Sequence, residues 1–386
     1  MRRPVIILLV AAAAGLALLG ALMVFSSSAA LAYVKYDGDS MYFIKRHLVN
    51  LAVALFVAAF FALADYHIWE KLAWPVTLAT LVLLGVALVA GVGNSAAPVK
   101  RWLRVGGFFF QPSELAKLAT VFLLARFIPY RHAITNVYER WLPLAAVGAM
   151  FVGILVEPDF SMAFLLAATA FVLFFIGGVR LRYLLGAGVV LTPLLAVILV
   201  AKQYRVSRLL SYMDPWEYAR GRGYQVIQSL IALGSGGLLG RGLGASNQKL
   251  FYLPQPHTDF VFAIVGEELG FVGAAAVVVA FAVLIVAGFR IAARAGDDFG
   301  RYLAAGLTTM VGLSALINLA VVTGLIPTTG IPLPFVSYGG TSLVVSAAAV
   351  GGLISVARRA GVETGFGYAR PQARTVDLNG TFVDYA

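Results

Sequence analysis

The chain contains no cysteine, which excludes a disulfide framework and thiolate chemistry. Its four histidines, His47, His67, His132 and His257, lie too far apart in sequence to suggest a metal cluster. Charge is scarce: 12% of residues are charged and 61% hydrophobic, where soluble domains carry about 25% and 45–50%. That balance excludes a water-soluble fold and marks an integral membrane protein. Acidic residues are the scarcest charged class, 18 against 29 basic, for a formal charge of +11. Here the natural counterpart of that charge is anionic lipid, and no nucleic-acid partner is expected.

What the sequence has in abundance is long apolar runs. At about 20 residues per crossing, ten spans are expected, at roughly 4–26, 47–65, 72–93, 114–129, 141–156, 161–178, 183–201, 259–289, 301–325 and 342–357. The expected fold is all-α, a polytopic membrane protein of about ten transmembrane helices. One domain covers 1–360, with a long extracytoplasmic loop, 202–258, between helices 7 and 8, and a disordered polar tail over 361–386. Met1-Arg2-Arg3 and the small residues Ser26 to Ala32 also fit a signal peptide, but the first apolar run is long for one.

An even number of spans puts both termini on one side. With the termini cytoplasmic, the short inner loops hold Lys71, Arg126, Arg131, Arg140, Arg180, Arg182, Arg290, Arg294 and Arg301, as the positive-inside rule requires. Two loops on the outer side are also basic: 94–113, with Lys100, Arg101 and Arg104, and 202–258, with Arg205, Arg208, Arg241 and Lys249 among others. Cations that defy topology point to an anionic substrate at the outer surface. Within the long loop, Tyr224–Leu233 has helical apolar spacing and reads as an amphipathic segment at the interface, followed by a glycine-rich turn region.

Three constellations could carry chemistry. In Lys249–Gly270 (KLFYLPQPHTDFVFAIVGEELG) an acidic residue, Asp259, sits where a polar loop enters an apolar helix. With Thr258 or His257 as N-cap, Asp259 falls in the first turn, where the helix dipole favours a carboxylate; the other reading is a reactive carboxylate at the membrane surface. Glu267 and Glu268 lie deeper, must face protein or water, and suit hydrogen bonds to a neighbouring span. Gly266 and Gly270 allow close helix approach. In Lys100–Lys117 (KRWLRVGGFFFQPSELAK), Pro112 opens a helix on which Glu114 and Lys117 share a face and form a structural ion pair. The alternative is that Lys117, Arg101 or Arg104 meets a phosphate. In Thr323–Ser342 (TGLIPTTGIPLPFVSYGGTS), prolines and glycines at membrane depth mean broken helix lining a cavity.

At these places the sequence resembles the SEDS family (shape, elongation, division and sporulation), the polytopic peptidoglycan glycosyltransferases that include RodA and FtsW. The matching stretches are Arg101–Lys117, Ser211–Gly244, Phe251–Gly270 and Gly324–Leu343. GDSMYFIKRHL at Gly38–Leu48, KLFYLP at Lys249–Pro254 and LPFVSYGG at Leu333–Gly340 bring it closer to the FtsW branch. The resemblance implies a multi-pass protein of the bacterial cytoplasmic membrane with Asp259 as its essential carboxylate on the outer side. It also implies a class B penicillin-binding protein as partner, alongside other divisome or elongasome membrane proteins. Gln255 stands where an acidic residue is common, and Glu157-Pro158-Asp159-Phe160-Ser161-Met162 replaces a usual Gln-Pro-Asp-Leu-Gly-Thr, which leaves no role to carry over around Asp159.

The implied reaction moves a glycan from undecaprenyl diphosphate onto a hydroxyl of lipid II, for division or elongation. Asp259 would take the proton of the attacking hydroxyl, a contribution of about 10²–10⁴-fold. Diphosphate leaves without a general acid, but its developing charge needs cations. Arg101, Arg104, Lys117, Arg205, Arg208 and Lys249 are the candidates, with Ser337 as a further substrate contact. A divalent ion, Mg or Mn, bridging Asp259 and diphosphate is an alternative, and no cofactor is certain. The rival functions are a lipid II flippase, which would tolerate loss of one outer carboxylate, and a noncatalytic scaffold.

Overall fold

A computed structural model describes residues 2–94, 97–106, 108–131, 137–186, 188–189, 193, 211–219, 221, 223–359, 375–376 and 382–383. Every expected span except the seventh coincides with a helix: α1 Arg2–Lys35, α2 Tyr42–Leu63, α3 His67–Ala90, α4 Pro112–Tyr130, α5 Val137–Val156, α6 Phe160–Ile176, α8 Val261–Ala293, α9 Asp298–Val322 and α10 Gly340–Arg359. The seventh, 183–201, lies largely outside the described residues, as do Arg205 and Arg208. Six of these helices, α1, α2, α3, α8, α9 and α10, are long and apolar enough to cross a membrane.

Local chemistry sets the helix starts. Asp159 caps α6 by accepting from Met162 N at 3.2 Å, and Asp297 caps α9 by accepting from Gly300 N at 2.8 Å. Pro112 opens α4, where its missing N–H costs nothing. Helix α4 is buried almost throughout and sits amid α3, α5, α6, α9 and α10. Helix α2 runs along α10, and α8 lies between α1 and α9.

Two stretches depart from the expectation. The loop 94–113 is largely an antiparallel sheet, β1 Val92–Asn94, β2 Ala97–Val105 and β3 Phe108–Phe110, in the order β1-β2-β3. Val105 pairs with Phe108 around Gly106, whose φ is +56°. A Gly-Gly step between two apolar runs is a hairpin signal. The expected eighth span is also not continuous: α8 breaks at Gly270 (φ 67°, ψ −166°).

The segment read as lying at the interface is α7, Tyr224–Ser235. One side of it is buried through Val226, Ile227 and Ala232, and Ser229 Oγ donates to Val322 O of α9 at 2.7 Å. It is thus pinned to the bundle rather than merely resting on the surface. In the tail, Thr375–Val376 (β4) pairs with Phe382–Val383 (β5), a local order not expected there; its other residues lie outside the described set.

The bundle has two unlike ends. One carries the short turns Ala64–Tyr66 and Arg294–Asp297 and the end of α10; the other carries the sheet, the long loop, the α5–α6 turn and the segment 323–339. Asp259 lies at the loop-rich end.

Candidate functional site

The turn that presents Asp259 is built by backbone groups being drawn away from helix formation. Tyr338 N donates to His257 O at 2.8 Å. Asn318 Nδ2, from α9, donates to Asp259 O at 2.9 Å. Ala263 N turns instead to Phe260 O at 3.0 Å, so the first helical residue is Val261. Asp259 therefore precedes the N-cap, Phe260, and the placement of Asp259 in the first turn, with Thr258 or His257 as cap, is corrected. The reason is that Asn318 holds the carbonyl that α8 would otherwise use. Asp259 is half-buried, and a methyl built on Gly330 would stand 3.9 Å from its Oδ2.

Beside Asp259 is an aromatic cluster. His257, 4% exposed, packs against Phe43 (4.6 Å between ring centroids) and Tyr338 (5.7 Å). Burial, with help from the Lys35 cation, lowers its pKa to about 4, so the imidazole is neutral at physiological pH. Ser337 lies one residue before Tyr338 and is buried; its hydroxyl accepts from Leu333 N at 2.9 Å and braces the 333–337 turn.

The cations named from sequence are mostly committed to partners. Lys117 Nζ lies 2.7 Å from Glu114 Oε2, both side chains buried, and Oε1 of Glu114 has no hydrogen-bond partner. Lys249 Nζ donates to Glu268 Oε1 at 2.8 Å, to Gly244 O at 2.7 Å and to Ser26 Oγ of α1 at 3.0 Å. Arg101 clasps the α5–α6 turn: Nε donates to Glu157 O at 3.1 Å, and its Nη atoms to Pro158 O at 2.6 Å and Asp159 Oδ2 at 3.3 Å. Arg104, on β2, is exposed and forms no ion pair among the described residues. A Mg or Mn ion bound by Asp259 would need other ligands from substrate, since no three His, Cys, Asp or Glu side chains gather among the described residues.

Of the two deep carboxylates, Glu268 bonds a neighbouring span as expected, and Glu267 bonds the preceding loop instead. Ser26 Oγ donates to Glu268 at 2.7 Å, joining α8 to the neighbouring span α1. Glu267 accepts from Ser246 Oγ, from Asn247 N at 3.0 Å and from Gln248 N at 3.3 Å. The glycine-rich segment then fills the break in α8. Arg241 N and Gly242 N donate to Glu267 O and Glu268 O, and Phe271 N and Val272 N donate to Gly237 O and Leu238 O, all at 2.9–3.1 Å. A Cβ at Gly270 would lie 2.3 Å from Gly240 N. The expected close approach at Gly266 and Gly270 is real, and its partners are α7 and this loop.

Sequence reasoning missed three groups. Asn318 is the one amide side chain in a largely apolar helix, which was a readable signal. Asp159 joins Arg101, Gln111 and the α6 start, and no spacing rule links those segments. Glu157 is buried, both its carboxylate oxygens lack partners, and its pKa rises to about 8 through burial and the neighbouring Asp159.

The whole arrangement has relatives. The family described as Cell cycle protein, FtsW/RodA/SpoVE, matches residues 6–361. A probable peptidoglycan glycosyltransferase FtsW of Geobacter sp. (strain M18) is 40% identical over 88% of this chain and 93% of its own. Stage V sporulation protein E of Bacillus subtilis (strain 168) has the same identity and coverage. In a structure of a peptidoglycan synthase complex, one chain superposes with a TM-score of 0.73 at 32% identity, covering 91% of this chain and 97% of that one. RodA, the rod shape determining protein of Thermus thermophilus, superposes with a TM-score of 0.66 at 28% identity, covering 91% and 96%. With a matching region from α1 to the end of α10 and relatives at 40% identity, the chain belongs to the FtsW/RodA/SpoVE family of multi-pass membrane proteins.

Proposed function

We propose that Asp259 is the general base with which this chain, a peptidoglycan glycosyltransferase of the FtsW kind, polymerises lipid II at the outer face of the cytoplasmic membrane. The observation that supports this is the turn itself. Asp259 is neither a helix cap nor a first-turn residue, so neither of those roles explains an acid there. A half-buried carboxylate beside the open floor of Gly330 can accept a proton from an attacking sugar hydroxyl.

The leaving diphosphate needs positive charge and no general acid. Arg104, exposed and with no ion pair among the described residues, offers a guanidinium. Lys117 and Arg101 could reach phosphate only by exchanging the carboxylates they now hold, and Lys249 lies in a buried pair. Arg205 and Arg208 remain candidates from sequence. A Mg or Mn ion, where bound, would take Asp259 as its protein ligand and neutralise diphosphate charge.

The loop-rich end faces outward and both termini face the cytoplasm, because the exposed substrate side and the basic inner loops then agree. The partner is a class B penicillin-binding protein, by analogy with the synthase complex that shares this fold. The test is lipid II polymerisation by the purified chain with its cognate penicillin-binding protein, moenomycin silencing unrelated transferases. Asp259→Asn is expected to lose at least about 10²-fold in rate while keeping its thermal midpoint and partner binding. Near wild-type ladders from that folded variant would remove Asp259 from the chemistry.

A further inference from the structure

Asn318 is 1% exposed near the C-terminal end of the apolar helix α9. Its amide nitrogen donates twice, to Asp259 O at 2.9 Å and to Ile331 O at 2.8 Å. Both acceptors are backbone carbonyls, so chemistry fixes which end of the amide is nitrogen. The two protons tie together the two segments flanking the reactive carboxylate: the turn that carries Asp259, and the 323–339 segment whose Gly330 forms the floor beside Oδ2. Nothing on the Asn318 side chain is spent on α9, because its Oδ1 is buried and unpartnered.

Elsewhere on α9 polar groups serve the helices. Thr308 and Ser314 hydroxyls donate to carbonyls one turn back, and Val322 O receives Ser229 of α7. Asn318 alone among these reaches the Asp259 turn.

We propose that Asn318 is a positioning residue of the transferase centre, holding the Asp259 turn out of α8 and at a fixed distance from the Gly330–Ile331 floor. The proposal rests on Asp259 being the base. Without the amide, the Asp259 carbonyl is free to rejoin α8, which would rotate the carboxylate away from the floor. Substrate contacts elsewhere would be untouched, so the loss appears in kcat and not in KM.

The experiment compares wild type, Asn318→Leu, Asn318→Asp, Ser229→Ala and Asp259→Asn as purified full chains, under conditions where wild type makes glycan ladders. Asn318→Leu keeps the branching at Cγ, with a larger volume, and removes both donors; Asn318→Asp is isosteric and its acid form retains one. Ser229→Ala removes a buried clamp on the same helix that does not touch Asp259. Misplacing a reacting group by about 1 Å costs on the order of 10²-fold. Asn318→Leu should lose about that in kcat with KM for lipid II unchanged, Asn318→Asp should fall between it and wild type, and Ser229→Ala should keep kcat.

A folded Asn318→Leu whose kcat falls no further than that of Ser229→Ala overturns the proposal. If Asn318→Leu does not fold, an Asn318→Asp variant with wild-type kcat does the same. Activity in Asp259→Asn would instead overturn the base assignment, whatever Asn318 does.

Discussion

The two ends of the bundle solve the same task, closing helix connections, in opposite ways. At the short-turn end the ion pairs are half-exposed. His67 Nδ1 lies 2.9 Å from Asp65, Arg359 Nε lies 3.5 Å from Asp65, and Tyr66 OH donates to Asp297, the cap of α9. Water can reach the His67, Asp65 and Arg359 groups, so those pairs are replaceable, whereas Tyr66 is buried. At the loop-rich end two ion pairs are buried, Glu114 with Lys117 and Glu268 with Lys249, and the backbone is bent against its preferences. Phe251, Gln255 and Phe335 adopt positive φ there, as do Gly240, Gly242, Gly244 and Gly270. Residues held in such regions persist only where surrounding structure over-determines them, and they gather at functional sites. The comparison teaches that buried ion pairs and strained backbone gather at one end of the bundle, the end that holds Asp259.

If that is right, substitutions at the two ends should differ in size by an order. Lys249→Met should cost most, about 3–5 kcal/mol, because it strands a buried Glu268 carboxylate; thermal unfolding of the purified chain measures it. A loss under 1 kcal/mol would mean that water reaches this pair. Gly270→Ala comes next, since the added methyl meets Gly240 N and φ is +67°. A cost of about 1–3 kcal/mol for an ordinary side chain in this backbone region should appear together with disorder of the 236–244 loop, read by limited proteolysis.

Glu157→Gln tests the end by its pH dependence. Folding raises the Glu157 pKa from 4.5 to about 8, so the folded state binds its proton more tightly than the unfolded one. The sign follows: its contribution is fully present below about pH 4.5 and is lost as pH rises toward 8. The glutamine variant should therefore unfold at a higher temperature than wild type at pH 8 and at a similar temperature at pH 5. The smallest effect is expected from the other end. Arg301→Ala removes an exposed pair with Asp298, 3.1 Å apart, and should change stability by under about 1 kcal/mol. A large loss there would erase the contrast between the ends.

Much of the fold was legible before any coordinates. Apolar runs gave the span positions because lipid requires about 20 such residues in a row. The Glu114–Lys117 pair followed from helical spacing, and Asp159 as the start of α6 did not, because that motif departs from its family form. The three-strand sheet was hidden inside a basic loop, although its Gly106-Gly107 step was a usable sign. The break in α8 was not legible, since Gly270 in an apolar helix reads equally as close packing.

The sequence by itself determined the class of molecule, the positions of its apolar helices and the family. Those properties depend on composition, on local periodicity and on short motifs, all of which lie along the chain. Tertiary structure alone decided how the named side chains are used. It committed Lys249 to Glu268 and Arg101 to the Asp159 turn, inserted the glycine loop across the α8 break, and brought Asn318 to the carbonyl of Asp259, 59 positions away. The reason is physical: a buried charge or carbonyl must find a partner wherever the packing places one, and packing is a property of the assembled helices.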